Sequence, residues 1–489
     1  MAYEKQKSAS QWEYQHISVP QIFDVVQDEG HVSVKMEYVY SRNFIEYFEA
    51  AGFEQVDYFI KALVLFVEKE LKESPILRVP TSLTFDKFED VRNKICSNPF
   101  LTKDAEVTSL MQDSEQRFLL FVQQDSIEIP VGVCHGDLTF SNILFNGNNY
   151  YLIDFLDSFI ESPLLDIVKI RQDSAHLWSQ LMYTKQYDKL RLRIICEKID
   201  REIDQYFRKY EWYRRYYDIY SLMNLLRILQ YAKEEKVVKY LKRCISDVLE
   251  GSVTSSGAHI APVATDCCDE GFSLIVPVAA DNGDGPMPYV FSLDEKGIML
   301  CVKAIQGLNL DVFDHIYFTI LRKHAELFNV DEMMRLQFRR LNLKNADLVV
   351  LNEPTACQTE TIWQTIKNRQ ILGGIFIKDA DGYFELEVRK ENAISVFPLE
   401  EMSVVDPQHK SYVADDNMRY ITNIIERRVI GHLFNAGGYC FENVNEFVSY
   451  YIPHMREGQV NISHIVYEML LNSEHFVPLQ VKGYKDFTL

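Results

Sequence analysis

The chain has 489 residues, 47% of them hydrophobic, and a formal net charge of −20. That length holds two to four domains of roughly 100–200 residues each, and the acidity argues against nucleic acid or an anionic membrane surface, which would need clustered Lys and Arg. Nine cysteines without a CxxC pair offer no zinc spacing and fit reduced thiols in a cytoplasm. The N-terminal MAYEKQKSASQWEY is too polar for a signal peptide. The apolar run from Phe59 to Val67 is broken by Lys61 and too short to span a bilayer.

In chain order, residues 30–40 (HVSVKMEYVY) alternate as a strand does, and apolar residues recur at helical spacing over 44–73. A further amphipathic helix is predicted over 105–124. VGVCH and YYLIDF read as short strands flanking SNILFNGNN, whose Asn-Gly pair marks a turn. From 163 to 249 the pattern is helical with short breaks, and the Tyr-rich stretch near 206–220 reads as a packed amphipathic helix. A small, polar segment at 251–271 reads as a linker. Beyond it SLIVPVAA, HIYFTIL, ADLVVLN and GGIFIKDA are strand-like with helical segments between, which predicts an α/β domain with a largely parallel sheet.

Chemistry concentrates first at His135-Gly136-Asp137 with Asn142 five positions beyond Asp137, and at Asp154-Phe155-Leu156-Asp157 on the next strand. Phosphoryl transfer needs a carboxylate to take the acceptor's proton and oxygen ligands for Mg2+. Asp137 is the candidate base, and Asn142 and Asp154 are candidate metal ligands. His135 is expected to hold the loop by hydrogen bonds, with Asp157 as further support, and Cys134 to be packed rather than reactive. His31, His259 and His454 are expected at the surface or in turns, and no HExxH, GxSxG or Walker spacing occurs.

HGDxxxxN followed by DFxD resembles the aminoglycoside phosphotransferase and choline kinase-like superfamily over about residues 15–250. The resemblance implies an α+β protein-kinase-like fold with a mostly helical C-lobe and an ATP site whose hinge contains Met36, Glu37, Tyr38 and Val39. It extends to Pro163 and to Asp166 through Lys169 as the helix start after the metal Asp. The residues before Val19-Pro20 contain no Gly and no strand-borne Lys, so the implied N-lobe is reduced and its phosphate clamp missing, or the chain begins at an internal Met of a longer protein.

A second acidic pair, Asp379 and Asp381, ends a strand-like run, where open α/β sheets bind ligands. The order of VVLNEPTACQTETIWQTIK, this pair, ITNIIERRVIGHLFNAGGYCFEN and the closing VKGYKDFTL resembles sugar-phosphate nucleotidyltransferases of the GT-A/Rossmann-like α/β fold over 272–489. The resemblance implies Asp379, Asp381 and Asp486 as metal ligands and Gln358 as a nucleotide contact, with CTP a possible second nucleotide. The Gly-rich opening of that family survives here only as Gly283 and Gly285, with Asp281 and Asp284 where Arg and Lys are expected. The whole is thus expected to be a kinase-like domain at 1–250 and a nucleotidyltransferase-like domain at 272–489, acting in the cytoplasm on a hydroxylated small molecule such as a sugar or amino alcohol for surface polysaccharide or lipid head groups. The rival expectation is a scaffold that keeps only ligand recognition.

Overall fold

The computed structural model describes residues 2–28, 31–251, 271–281, 283, 285–402 and 410–487. The chain divides into two compact units, Met1–Ala258 and His259–Leu489. Of the linker expected at 251–271, residues 252–270, with His259, Cys267 and Cys268, lie outside the described residues, as does Asp284. No helix among the described residues is long and apolar enough to cross a membrane.

The first unit begins with α1 (Ala2–Ala9), β1 (Ile17–Ser18) and an antiparallel ribbon of β2 (Ile22–Asp28) and β3 (His31–Met36). The strand expected over 30–40 therefore stops at Met36. The helix expected over 44–73 is two, α2 (Phe44–Phe48) and α3 (Phe53–Lys72), because Gly52 starts α3 as its N-cap. Next come β4 (Ile76–Pro80), α4 (Thr81–Ser97), α5 (Ala105–Val122) and β5 (Ser126–Pro130), with β5 antiparallel to β4. VGVCH is not a strand: the ladder closes with Val131 N–H on the Pro75 carbonyl at 3.0 Å, and Gly132 N–H turns away to the Glu161 carbonyl at 2.9 Å. β6 (Ile143–Asn146) and β7 (Asn149–Leu152) form a hairpin around Gly147-Asn148, so ILFN is itself a strand rather than part of the turn. Gly147 stands at a φ of 58°, a conformation that Gly accepts without steric cost.

Five helices follow: α6 (Pro163–Ser174), α7 (Trp178–Leu181), α8 (Lys189–Phe207), α9 (Glu211–Leu229) and α10 (Glu235–Leu249). Their spacing explains their burial. Val237, Val238, Leu241, Ile245 and Val248 form one face of α10 and pack with Leu222, Leu225 and Leu229 of α9. Each such side chain contributes about 1.5–3 kcal/mol when fully buried. α6 is fixed by Arg171, buried, whose Nε and Nη2 fork onto Asp200 of α8 at 2.7 and 2.8 Å.

The second unit carries β8 (Phe272–Pro277), α11 (Leu300–Lys303), β9 (His315–Leu321), α12 (Arg322–Phe328), α13 (Val330–Arg340), β10 (Ala346–Leu351), α14 (Gln358–Arg369) and β11 (Gly374–Lys378). After these come β12 (Gly382–Glu385), β13 (Ala393–Pro398), β14 (Ser411–Asp415), β15 (Ile421–Glu426), β16 (Leu433–Phe441), α15 (Val444–Tyr451), α16 (Ile462–Leu471), β17 (Val477–Gln480) and β18 (Lys482–Asp486). The main path through its sheet is β10-β9-β8-β11-β16-β13-β17, with β14 and β15 attached at β16. β10, β9, β8 and β11 are parallel, as expected, but β16 runs antiparallel to both β11 and β13. The sheet is therefore mixed. β16 is buried throughout, so alternation gave no sign of its direction. His454 is likewise buried rather than exposed, its Nε2 2.7 Å from Glu468 of α16.

Candidate active site

In the first unit two motifs distant on the strand path are sewn together by the backbone. Leu156 N–H donates to the His135 carbonyl at 3.0 Å, and Ile153 N–H donates to the Asn142 carbonyl at 3.1 Å. The His135 ring completes the seam. Asp137 N–H donates to its Nδ1 at 3.2 Å, so the other nitrogen, Nε2, must carry the proton that is shared with the Ile153 carbonyl at 3.0 Å. Burial drives the His135 pKa down to about 3, and its ring lies 4.1 Å from that of Phe155. His135 is thus a neutral strut and not a proton carrier. Cys134 is buried and its thiol pKa is pushed up, first by desolvation, which makes it inert.

Gly136 has a φ of 90°, and a Cβ there would sit 1.9 Å from the Leu156 carbonyl oxygen. Only glycine lets the loop pass this close. The amides of His135 and Gly136 both donate to the carboxylate of Asp166, at 2.5 and 2.8 Å. Asp173, two turns along α6, accepts from Phe140 N–H at 2.7 Å and Ser179 N–H at 2.9 Å. The loop from His135 to Asn142 is therefore hung from two buried acidic side chains of one helix.

Asp137 itself remains partly exposed. The Asn142 Nδ2 donates to its carbonyl at 2.8 Å and to its Oδ2 at 3.1 Å, while Lys169 pairs with Oδ1 at 3.0 Å. With its nitrogen so committed, Asn142 can offer only its amide oxygen to a cation. Asp154 is exposed at a φ of 62°, its N–H donating to Gln6 Oε1 at 3.2 Å. An open carboxylate and an amide oxygen are hard ligands that suit Mg2+. Asp157 is also exposed.

At the expected hinge, Met36 ends β3 and its sulfur receives Gln6 Nε2 at 2.9 Å. Glu37 is tied back to Gln21 through both its amide and its carboxylate. Tyr38 is 87% exposed and Val39 half-buried, so this segment offers an open edge. α1 also sends Lys5 to the Leu156 carbonyl at 2.7 Å and to Glu161 at 2.6 Å. Lys5, Glu70, Asp173 and the contact of Lys169 with Asp137 escaped the sequence reading. Only PLLDIVK, through Asp166 and Lys169, carried a signal.

In the second unit β12 pairs antiparallel with β18 in a register that sets Gly382 opposite Asp486, and Phe487 N–H donates to the Asp381 carbonyl at 2.8 Å. The three expected carboxylates thus come from neighbouring strand ends. Two of them meet protein side chains. Gln358 Nε2 donates to Asp379 Oδ1 at 2.5 Å, and Lys410 pairs with Asp486 at 2.6 Å. Lys378, wholly buried, donates to the carbonyls of Asp379 and Gly382, both at 2.7 Å. Burial, then the charge of Asp381, raises the Asp379 pKa. Gly437, at a φ of 89°, lies so close that a Cβ would fall 2.8 Å from Asp379 Oδ2. Lys323 reaches the loop that contains Asp281 and Gly283, pairing with Asp281 at 3.2 Å. Among the described residues no three His, Cys, Asp or Glu side chains gather as a metal-ligating group.

Residues 3–218 match the model of the APH phosphotransferase enzyme family. A search of curated proteins found no match. Among solved structures the chain is similar to a nucleoside-diphosphate-sugar pyrophosphorylase from Vibrio cholerae RC9, at 13% identity and a TM-score of 0.35, covering 44% of this chain and 96% of that one. It is similar to the inositol-1-phosphate CTP transferase from T. maritima, at 12% identity and a TM-score of 0.36, covering 44% and 88%. It is also similar to a glucosamine kinase, at 12% identity and a TM-score of 0.36, covering 51% and 70%.

Proposed function

We propose that the phosphotransferase-family domain at residues 3–218 moves the γ-phosphoryl group of ATP to a hydroxyl of a small molecule, with Asp137 as the base. The observation that carries this reading is the double hydrogen bond from Asn142 to Asp137, which fixes the carboxylate while leaving the amide oxygen for a cation. Asp137 takes the acceptor's proton as the acceptor oxygen bonds to the γ-phosphorus. The bond from that phosphorus to the β,γ-bridging oxygen breaks, and ADP leaves with the electron pair. Mg2+, held by Asn142 and Asp154, would offset phosphate charge. Met36 through Val39 would border the base. The fold at this site is read as a kinase-like C-lobe carrying a reduced N-lobe, and the setting as cytoplasmic.

For the second unit the proposal is a GT-A-like nucleotidyltransferase fold that binds a nucleotide or the phosphorylated product. The pairing of Asp486 with Lys410 and of Asp379 with Gln358 favours ligand recognition over nucleotidyl transfer, since both carboxylates are already engaged. Activation of a phosphorylated alcohol or sugar by CTP or a similar nucleotide is the transfer reading. Titration calorimetry with Mg-ATP and Mg-CTP on the full chain, wild type against Asp154→Ala and Asp381→Ala, separates the two. ATP binding lost only in Asp154→Ala supports the kinase reading. A second site lost in Asp381→Ala supports two active centres. Metal-dependent binding absent from every form would refute the enzyme reading.

A further inference from the structure

A cavity of about 570 Å3 opens among α4, α6, α7, α9 and α10 of the first unit. It lies beside the proposed base: Lys169, which lines it, is the residue paired with Asp137 at 3.0 Å. Arg227 lines it too, and the charge of Asp137 is the foremost one acting on that guanidinium. The cavity is thus placed where an acceptor hydroxyl would have to lie to reach Asp137.

Its wall has a definite chemistry. The cations are Lys87, Lys169, Arg227 and Lys233, against one lining carboxylate, Glu234. Lys87 is neutralised by Asp90 at 3.1 Å and Lys169 by Asp137. Arg227 lies over the Phe159 ring at 5.6 Å, and no ion pair among the described residues engages it. It is partly buried, where a charge interacts more strongly than at an open surface. In a chain of net charge −20, a cavity with excess positive charge is not a by-product of composition.

Two buried amide side chains belong to the same wall. Asn224, 5% exposed, and Gln230, 8% exposed, both line the cavity, and neither the Asn224 Oδ1 nor the Gln230 Oε1 has a hydrogen-bond partner. Their nitrogens are committed, to Gln172 at 2.7 Å and to the Arg227 carbonyl at 2.7 Å. Both oxygens expose almost no surface, so the two side chains shape the wall while the charge on it comes from Arg227 and the lysines. Trp178 and Tyr231 add ring faces.

We infer that this cavity takes the phosphoryl acceptor, and that the acceptor is an anionic hydroxy compound, such as a sugar acid, whose acid group pairs with Arg227 while one hydroxyl is presented to Asp137 beside Lys169. The inference rests on the phosphotransferase reading and narrows it: amino alcohols and amino sugars, carrying a cation, meet the wrong charge here.

The test is calorimetric binding to the full chain of glycerate, gluconate and glucuronate, beside glycerol, glucose, glucosamine and choline. The acids should bind at least about tenfold more tightly than their neutral counterparts, the effect of one charge-assisted pair. Arg227→Gln should erase that advantage and Arg227→Lys retain most of it, with Lys233→Gln, at an exposed position, giving a smaller fall if Arg227→Gln does not fold. Tighter binding of the neutral or amino compounds, an advantage untouched by Arg227→Gln, or no binding by any acid overturns the inference. Mg-ATP turnover of the acids by wild type but not by Asp137→Asn supports both readings. Acid binding with no phosphoryl transfer keeps the anion site and sinks the phosphotransferase, whereas transfer to neutral or amino acceptors alone does the reverse.

Discussion

The amide nitrogen of Asn142 is shared between the carbonyl and the carboxylate of Asp137, at 2.8 and 3.1 Å, so one side chain both shapes the loop and aims its acid. Asn142 stands on a short 3-10 turn, Phe140–Asn142, that Asp173 anchors through the Phe140 amide. The pair is therefore held by α6 as much as by its own loop, and substitutions can separate the chemistry from its support.

Asp137→Asn should remove the proposed base and little else, since an amide fills the same volume. Phosphoryl transfer should fall by about 10²–10⁴-fold, while the urea midpoint stays near that of wild type. A coupled assay for ADP release, run beside chemical denaturation, reads both. An active Asp137→Asn enzyme would remove Asp137 from the role of base.

Gly136→Ala places a methyl group against the Leu156 carbonyl, which is backbone and cannot step aside, at a φ of 90°. The expected result is a loss of stability beyond about 1 kcal/mol, together with loss of nucleotide binding because the two motifs are pushed apart. Urea denaturation of the variant gives the first and calorimetry the second.

Glu70 lies wholly buried in α3 without a donor to either carboxyl oxygen. Desolvation first, and then the charge of Asp166, raise its pKa well above the usual value, against a weaker opposing pull from Lys5. Burial beside Asp166 thus favours the uncharged form of Glu70. A raised folded-state pKa contributes stability that is complete below the unfolded value near 4.5 and is lost as pH climbs through the folded value. Glu70→Gln keeps a donor without the titration. Its stability should match wild type near pH 4.5 and exceed it at pH 8, in urea melts at the two pH values; parallel curves would contradict the assignment.

Lys410 and Asp486 form a largely buried pair at 2.6 Å. Lys410→Gln removes the cation paired with the carboxylate of Asp486 and should cost about 3 kcal/mol. The double variant Lys410→Gln/Asp486→Asn should recover part of that loss, a coupling of about 1–3 kcal/mol in a denaturation cycle. Additive losses would mean that the two side chains do not depend on one another.

Much of this was legible in the chain because the relevant information is local. HGDxxxxN and DFxD lie within 23 residues, from His135 to Asp157, and a hairpin with a two-residue loop fixes how they return on each other. The helices from α6 to α10 and the parallel strands β8 to β11 follow from apolar period alone. Legibility failed where period carries no direction. β16 is buried along its whole length, so nothing in it distinguished an antiparallel strand from a parallel one. It failed also at VGVCH, a short apolar run that leaves the ladder after Val131.

The sequence by itself determined the division into two units, the helical period, and the residues able to donate oxygen ligands or accept a proton, since each depends on near neighbours. Only the tertiary structure decided what those residues meet. Lys169 reaches Asp137 across 32 positions, Asp166 holds the loop across 30, and Lys410 meets Asp486 across 76. Arg227, Asn224 and Gln230 gain a shared cavity with Lys169 only when α9 packs against α6. Charge and hydrogen bonding act over a few ångströms of space, whatever the separation in chain, so no spacing rule could have announced them.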